Sequence, residues 1–266
     1  MSCVRMLVEC GIEKQSVTED AVLGGRLRLR QFKRGHRVGH DAILLAAACP
    51  GRAGERVADL GAGVGAAGLA LAARVAGINV TLVERDAELA ALASENARLN
   101  GLAGRVTVAN LDATAPARAY AAAGLHPGSL HRVLMNPPFN DPLRSRASPD
   151  RRRQLAHAGS YETLAAWVRA AGRLLRPRGT LSLIWRADAL DDVLRALVPA
   201  FGSATVLPVH SRAGKAAARV LVRATKGSRA PLALLPGFLL NDASGRVSPE
   251  AESVLRQGAI LPLAEI

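Results

Sequence analysis

The sequence predicts an α/β fold built on a mostly parallel sheet with helices on both faces, and three observations carry that reading. From residue 55 onward, short apolar runs of strand length alternate with longer stretches whose apolar residues recur every three or four positions. Strand and helix in strict succession is the rhythm of crossover units. One strand-to-helix junction, "VADLGAGVGAAGLAL", holds a glycine-rich turn of the kind that opens such a unit.

Each element follows in order. Residues 22–32, "VLGGRLRLRQF", alternate after a Gly-Gly turn, with Arg26, Arg28 and Arg30 on one side and Leu27 and Leu29 on the other, the period of a half-exposed strand in a small hairpin. "RVADL" (56–60), "NVTLV" (79–83), "RVTVA" (105–109), "RVLM" (132–135) and "TLSLIW" (180–185) read as strands. "AAGLALAARV", "AELAALASENARL" and "YETLAAWVRAAGRLL" read as the helices between them. "ATVLPVH" (204–210) and "AARVLVRA" (217–224), joined by the basic turn "SRAGK", suit an antiparallel hairpin at the sheet edge. The polar stretch 142–153, "PLRSRASPDRRR", reads as a mobile loop. In the tail, Ser248 suits an N-cap, Pro249 the first helical position and Gly258 a stop. The chain thus divides into an N-terminal hairpin and covering segment (1–50), a central domain (51–225) and a C-terminal extension packed on it (226–266).

Composition bounds the function. The 266 residues are 49% hydrophobic and 21% charged, which excludes a disordered chain. Glu9 and Glu13 interrupt the N-terminus too early for a signal peptide. Three cysteines (Cys3, Cys10, Cys49) without paired spacing give neither a disulfide framework nor a zinc site, so a cytoplasmic location is expected. Six histidines show no metal spacing and no metal is expected, though His40 beside Asp41 could shape a pocket. Trp167 and Trp185 occupy apolar positions that suit core packing. The net charge of +13 favours a polyanionic partner, nucleic acid first among them.

The glycine turn narrows the ligand. Gly61, Gly63 and Gly65 permit a tight turn and a close backbone approach at a helix N-terminus, although a tight turn uses glycine for packing alone as well. Glu84 lies about twenty residues on, at a strand end, where a carboxylate accepts both hydroxyls of a ribose. Asp112 follows the third strand and could accept from an adenine amine. Asp59, two places before the first glycine, is ill suited to a pyrophosphate and suits a cation. An adenosine-bearing cation with a ribose is S-adenosylmethionine, whose ammonium and sulfonium answer to that acid. The next strand then delivers Asn136, Pro137, Pro138 and Phe139 to the same edge. An Asn amide oxygen and a proline-stiffened backbone carbonyl can accept the two hydrogens of a planar amine, and a phenyl face can stack on its base.

"NPPF" after a strand, with "DLGAGVG" upstream, resembles the S-adenosylmethionine-dependent amino-methyltransferases, which modify adenine or cytosine amines or glutamine amides. "RQFKRGHRVGHDAILLAA" (30–47) further resembles the bacterial tRNA(Val) adenine-N(6) methyltransferase family, over residues from about 18 to 225. The resemblance implies a Rossmann-like class I methyltransferase with a seven-stranded sheet, acting on the adenine just 3′ of a tRNA anticodon. It also implies that Gln31, Gly39 and Asp41 help to form the cofactor site. Arg26, Arg28, Arg30, Lys33 and Arg34, with Arg144, Arg146, Arg151, Arg152 and Arg153 and with Arg212 and Lys215, are the candidate phosphate-binding rim for RNA. With aromatics only 3% of residues, multi-base stacking is not expected. The rivals are a glutamine-N(5) methyltransferase acting on a release factor, an adenine-N(6) methyltransferase acting on rRNA or DNA, an inactive RNA-docking module and a nicotinamide enzyme.

Overall fold

A computed structural model describes residues 16–34, 37–138 and 150–265, with 150–160 given by backbone only. β1 (Val17–Val22) and β2 (Leu27–Phe32) pair antiparallel across a turn at Leu23–Gly25. Leu27, Leu29 and Gln31 point inward while Arg28 and Arg30 stay exposed, as the alternation requires. There follow α1 (His40–Ala48), β3 (Arg56–Leu60), α2 (Ala66–Arg74), β4 (Asn79–Glu84), α3 (Ala87–Leu99) and β5 (Val106–Asn110). The second half holds α4 (Ala117–Ala122), β6 (Leu130–Met135), α5 (Asp150–Leu174), β7 (Leu175–Arg186), α6 (Leu190–Leu197), β8 (Phe201–Arg212) and β9 (Ala217–Lys226). The tail adds β10 (Ala233–Leu234), β11 (Phe238–Asn241) and α7 (Pro249–Gln257).

The main sheet has the order β10-β8-β9-β7-β6-β3-β4-β5, with β11 also on β8, nine strands in all. β3 to β7 run parallel, and β9 lies antiparallel between β7 and β8. Without the two short tail strands this is the seven-stranded sheet expected. The tail covers the outer side of β8, so the β8–β9 hairpin is not the sheet edge. A second difference concerns 142–153: Asp150–Arg153 already belong to α5, whereas 142–149 lie outside the described residues.

Two apolar layers sandwich the sheet. One joins α1, α2, part of α3, α7 and the inward leucines of the hairpin, and the other joins α4, α5 and α6 with Trp185 at its centre, 0% exposed. Strands buried on both faces read as unbroken apolar runs, which is why β3 is visible in sequence. The hairpin docks through two amides of α3. Asn96 Oδ1 accepts from Arg30 N at 2.7 Å and its Nδ2 donates to Arg30 O and Val64 O, both at 3.0 Å; Asn100 brackets Arg28 N and O in the same way. Asn96 thereby ties the hairpin to the glycine turn.

In the tail, Ser248 Oγ accepts from Ala251 N at 3.0 Å and donates to Leu239 O at 2.7 Å, Pro249 opens the helix, and Gly258 ends it at φ 74°. Ser248→Ala removes a cap and is expected to lower stability by about 1 kcal/mol, read as a shift in denaturant midpoint at constant slope. Among the described residues no helix is long and apolar enough to cross a membrane, and no group of three or more His, Cys, Asp or Glu is placed to hold a metal.

Candidate active site at the carboxyl edge of the sheet

The turn after β3 uses its three glycines for three reasons. At Gly61 (φ 69°) a side-chain carbon would stand 2.3 Å from the Trp167 ring on α5, and at Gly65 (φ 90°) it would stand 2.8 Å from Leu82. At Gly63 (φ 56°) it would meet nothing within 4 Å, so open space adjoins the backbone there. Trp167 packs against the core as expected, and its ring also closes over the glycine turn, a contact that helix periodicity does not foresee.

The acids divide by depth. Asp59 is 2% exposed, beneath the turn, and its Oδ2 accepts from Gly68 N at 2.8 Å. That hydrogen bond holds the start of α2 in place beneath the turn. Glu84 Oε2 accepts from Gly63 N and Oε1 from Asp86 N, each at 2.9 Å, which clamps the glycine turn to the start of α3 and leaves lone-pair capacity on both oxygens. Asp112 is more open, its side chain 44% exposed. Hydrogen bonds from Thr114 Oγ1 and N, at 2.5 and 2.7 Å, outweigh its burial and hold its carboxyl below the usual range. Asn110 donates to Glu84 O and Arg85 O, joining the ends of β4 and β5.

Burial pushes the Asp59 carboxyl up to about 7, opposed by the Gly68 N–H and reinforced by the neighbouring Glu84 charge. Its folded-state pKa lies above the ordinary 3.8, so its contribution favours the fold below about pH 4 and is lost as pH rises through about 7. A cation bound nearby favours the ionised form. Affinity for a sulfonium ligand is therefore expected to rise as pH increases through 7, and Asp59→Asn to flatten that dependence, as read by calorimetry across pH.

Gln31, Gly39 and Asp41, expected to help form the cofactor site, each hold a structural position of their own. Gln31 is 4% exposed and both ends of its amide are engaged: Nε2 donates to Asp20 Oδ2 at 2.6 Å and Oε1 accepts from Val38 N at 2.9 Å. It braces segment 37–39 instead of offering a free amide. Gly39 is the N-cap of α1, and Asp41, in its first turn, pairs with Arg219 Nε at 3.0 Å.

Asn136 and Pro137 follow β6 directly, beside the start of the β3 turn, because Leu60 pairs with Met135. Pro137 is buried and Pro138 exposed. Asn136 is half-buried, yet its Oδ1 is buried with no hydrogen-bond partner among the described residues. An orphaned amide oxygen costs about 1–3 kcal/mol, and a donor is what it lacks. Phe139 lies outside the described residues.

Among the described residues, the basic side chains divide into engaged and exposed ones. Arg28 pairs with Glu19, Arg30 with Glu19 and Glu95, and Arg26 Nη1 donates to Gln257 O at 2.6 Å, so the hairpin arginines are partly engaged. Lys33, Arg34, Arg212 and Lys215 are exposed. Arg212 and Lys215 flank the β8–β9 turn, at the carboxyl end of β7 and hence at the site's edge. Arg151, Arg152 and Arg153 fall in the first turn of α5, where only the backbone is described, and Arg144 and Arg146 lie outside the described residues.

The chain is similar to known proteins. Residues 36–211 match the family model described as methyltransferase small domain. The tRNA1(Val) (adenine(37)-N6)-methyltransferase of Aeromonas hydrophila is 34% identical over 72% of this chain and 77% of its own length. The protein of the same description from Dickeya chrysanthemi is 28% identical over 89% and 94%. A solved structure described as a predicted O-methyltransferase from Agrobacterium tumefaciens is 33% identical, covers 83% of this chain and 98% of its own, and superposes with a TM-score of 0.70. With the family model spanning 36–211 and a relative 34% identical over 72% of the chain, the chain belongs to the methyltransferase small domain family and, within it, to the family of the tRNA1(Val) (adenine(37)-N6)-methyltransferases.

Proposed function

We propose that the protein transfers a methyl group from S-adenosylmethionine to the exocyclic N6 of an adenine in tRNA, next to the anticodon. The observation that carries this reading is the orphaned Oδ1 of Asn136, set on the strand end beside the glycine turn. An adenine amine is a poor nucleophile because its lone pair is delocalised into the ring. Asn136 Oδ1 and the Pro137 carbonyl accept its two hydrogens, which favours a pyramidal nitrogen with its lone pair free. The cofactor, when bound, supplies the methyl group on a sulfonium. Gly63 leaves room for it, Glu84 accepts from its ribose, and Asp112 accepts from its adenine amine. Phe139 stacks on the acceptor base. The excess positive charge, with Lys33, Arg34, Arg212 and Lys215 exposed, provides the attraction for the RNA backbone.

The Agrobacterium protein's description makes oxygen methylation the second reading. A hydroxyl acceptor brings one hydrogen where an amine brings two, and a pair of acceptor oxygens suits the amine. Incubating size-fractionated RNA with methyl-labelled cofactor, followed by nucleoside analysis, tests the choice. Label in N6-methyladenosine from the tRNA fraction is expected; label confined to O-methylated products, or to protein, overturns it.

A further inference from the structure

Two arginines outside the amine-binding strand end stand side by side at the same edge. Arg186, the last residue of β7, lies directly opposite Arg219 of β9 in the antiparallel register. Ile184 and Leu221, the pair before them on the same face, belong to the apolar layer under α1. Both guanidiniums therefore emerge at the start of that helix. Like charges facing one another across a strand pair are unfavourable unless anions sit between or beside them. Each arginine here has one: Arg186, 6% exposed, is forked by Asp188 at 2.8 and 2.9 Å, and Arg219 is bonded by Asp41 at 3.0 Å. The two pairs differ in depth. Arg186 is buried beneath an Asp188 side chain that is 72% exposed, whereas Asp41 and Arg219 are each 30% exposed, so solvent reaches the Asp41–Arg219 pair. A guanidinium that bonds a carboxylate also bonds a phosphate oxygen.

The register places this pair relative to the acceptor. Met135 pairs with Leu183, so Asn136 lies two residues short of Arg186, and Arg219 is one strand further out. Two strand spacings across and two residues along the strand combine to about 12 Å between backbones, within side-chain reach of the span from an adenine amine to the phosphate of its own nucleotide. We propose that Arg186 and Arg219 form a phosphate subsite for the acceptor nucleotide, in which Arg219 takes the phosphate and Asp41 is the counter-ion it exchanges. This rests on the reading of the protein as an RNA adenine methyltransferase. The subsite fixes the nucleotide's backbone while Asn136 and Pro137 fix its amine, so the base is positioned from both ends.

The test uses the full chain, saturating cofactor and an anticodon stem-loop of tRNA1(Val), with methylphosphonate replacing in turn each linkage flanking the target adenosine. For the wild type, one neutral linkage is expected to raise KM about tenfold, the size of one charge-assisted contact. Arg219→Gln is expected to raise KM similarly and to become indifferent to that linkage, with its affinity for S-adenosylhomocysteine unchanged. Asp41→Asn, which removes the competing anion, is expected to lower KM for the RNA, the opposite of what a purely structural ion pair gives. Arg219→Lys, which keeps a charge at the site, is expected to recover part of the loss. The subsite is overturned if neither linkage matters to the wild type, if the linkage and Arg219→Gln act additively, or if Asp41→Asn and Arg219→Gln shift KM in the same direction. A wild type that transfers no methyl group to the unmodified stem-loop overturns the underlying reading instead, and the subsite with it.

Discussion

Asn136→Ala is expected to lower kcat for methyl transfer about 100-fold, the loss typical of one positioned acceptor in a transition state, while leaving cofactor affinity within about twofold. The reason is the division of labour at the sheet edge. Asn136 follows β6 and offers an oxygen that nothing in the described protein satisfies, whereas the glycine turn is held by Glu84, Asp86 and Asn96 without it. The same orphaned oxygen sets the direction of the stability change. Removing a buried acceptor that lacks a donor relieves a desolvation cost of about 1–3 kcal/mol, against which the lost side-chain packing is small, so the variant is expected to melt no lower than the wild type. Asn136→Asp keeps an acceptor and should lose less activity than alanine. A variant as active as the wild type, or one whose loss tracks unfolding, would remove the residue from the chemistry. Single-turnover rates at saturating cofactor, with a melting curve alongside, separate these outcomes.

Glu84→Gln is expected to weaken cofactor binding about 100-fold and to destabilise the free protein. The carboxylate is 7% exposed and accepts two backbone N–H groups, from Gly63 and Asp86, one at each oxygen. An amide has only one oxygen, so one N–H would face an NH2 group in a buried site, at a cost of about 1–3 kcal/mol. The turn beside Gly63 would then open, and the charge that accepts from the ribose hydroxyls would be gone. Loss of two charge-assisted contacts at about 1.5 kcal/mol each accounts for the factor stated. Isothermal calorimetry with S-adenosylhomocysteine reads the effect directly; an unchanged dissociation constant would place the ribose elsewhere.

Where local chemistry decides the structure, the sequence was legible. β3 spans Arg56–Leu60 as read because a strand buried on both faces is an unbroken apolar run, and α3 spans Ala87–Leu99 because Asp86 caps it by accepting from Glu88 N and Leu89 N. The tail helix was readable from Ser248, Pro249 and Gly258 for the same reason. α1 was not: in "HDAILLAAA" the six residues from Ile43 to Ala48 are all buried, so no polar face marks the period. In the site, strand-end residues such as Glu84 and Asn136 could be placed by counting along crossover units. Long-range pairings could not. Asp41 and Arg219 are 178 residues apart, Asn96 reaches the hairpin across 66, and Gln31 bridges Asp20 and Val38 through the two ends of its amide.

On the proposed reading, a planar amine is held between Asn136 and Pro137 while its nitrogen faces the cofactor cleft beside Gly63. A crystal structure of the complex with S-adenosylhomocysteine and the tRNA1(Val) anticodon stem-loop tests it most directly. The target adenine's N6 is expected within about 3 Å of both Asn136 Oδ1 and the Pro137 carbonyl oxygen, with the cofactor's sulfur on the nitrogen's open side. An adenine seated elsewhere, with the Asn136 oxygen still without a donor, would contradict it.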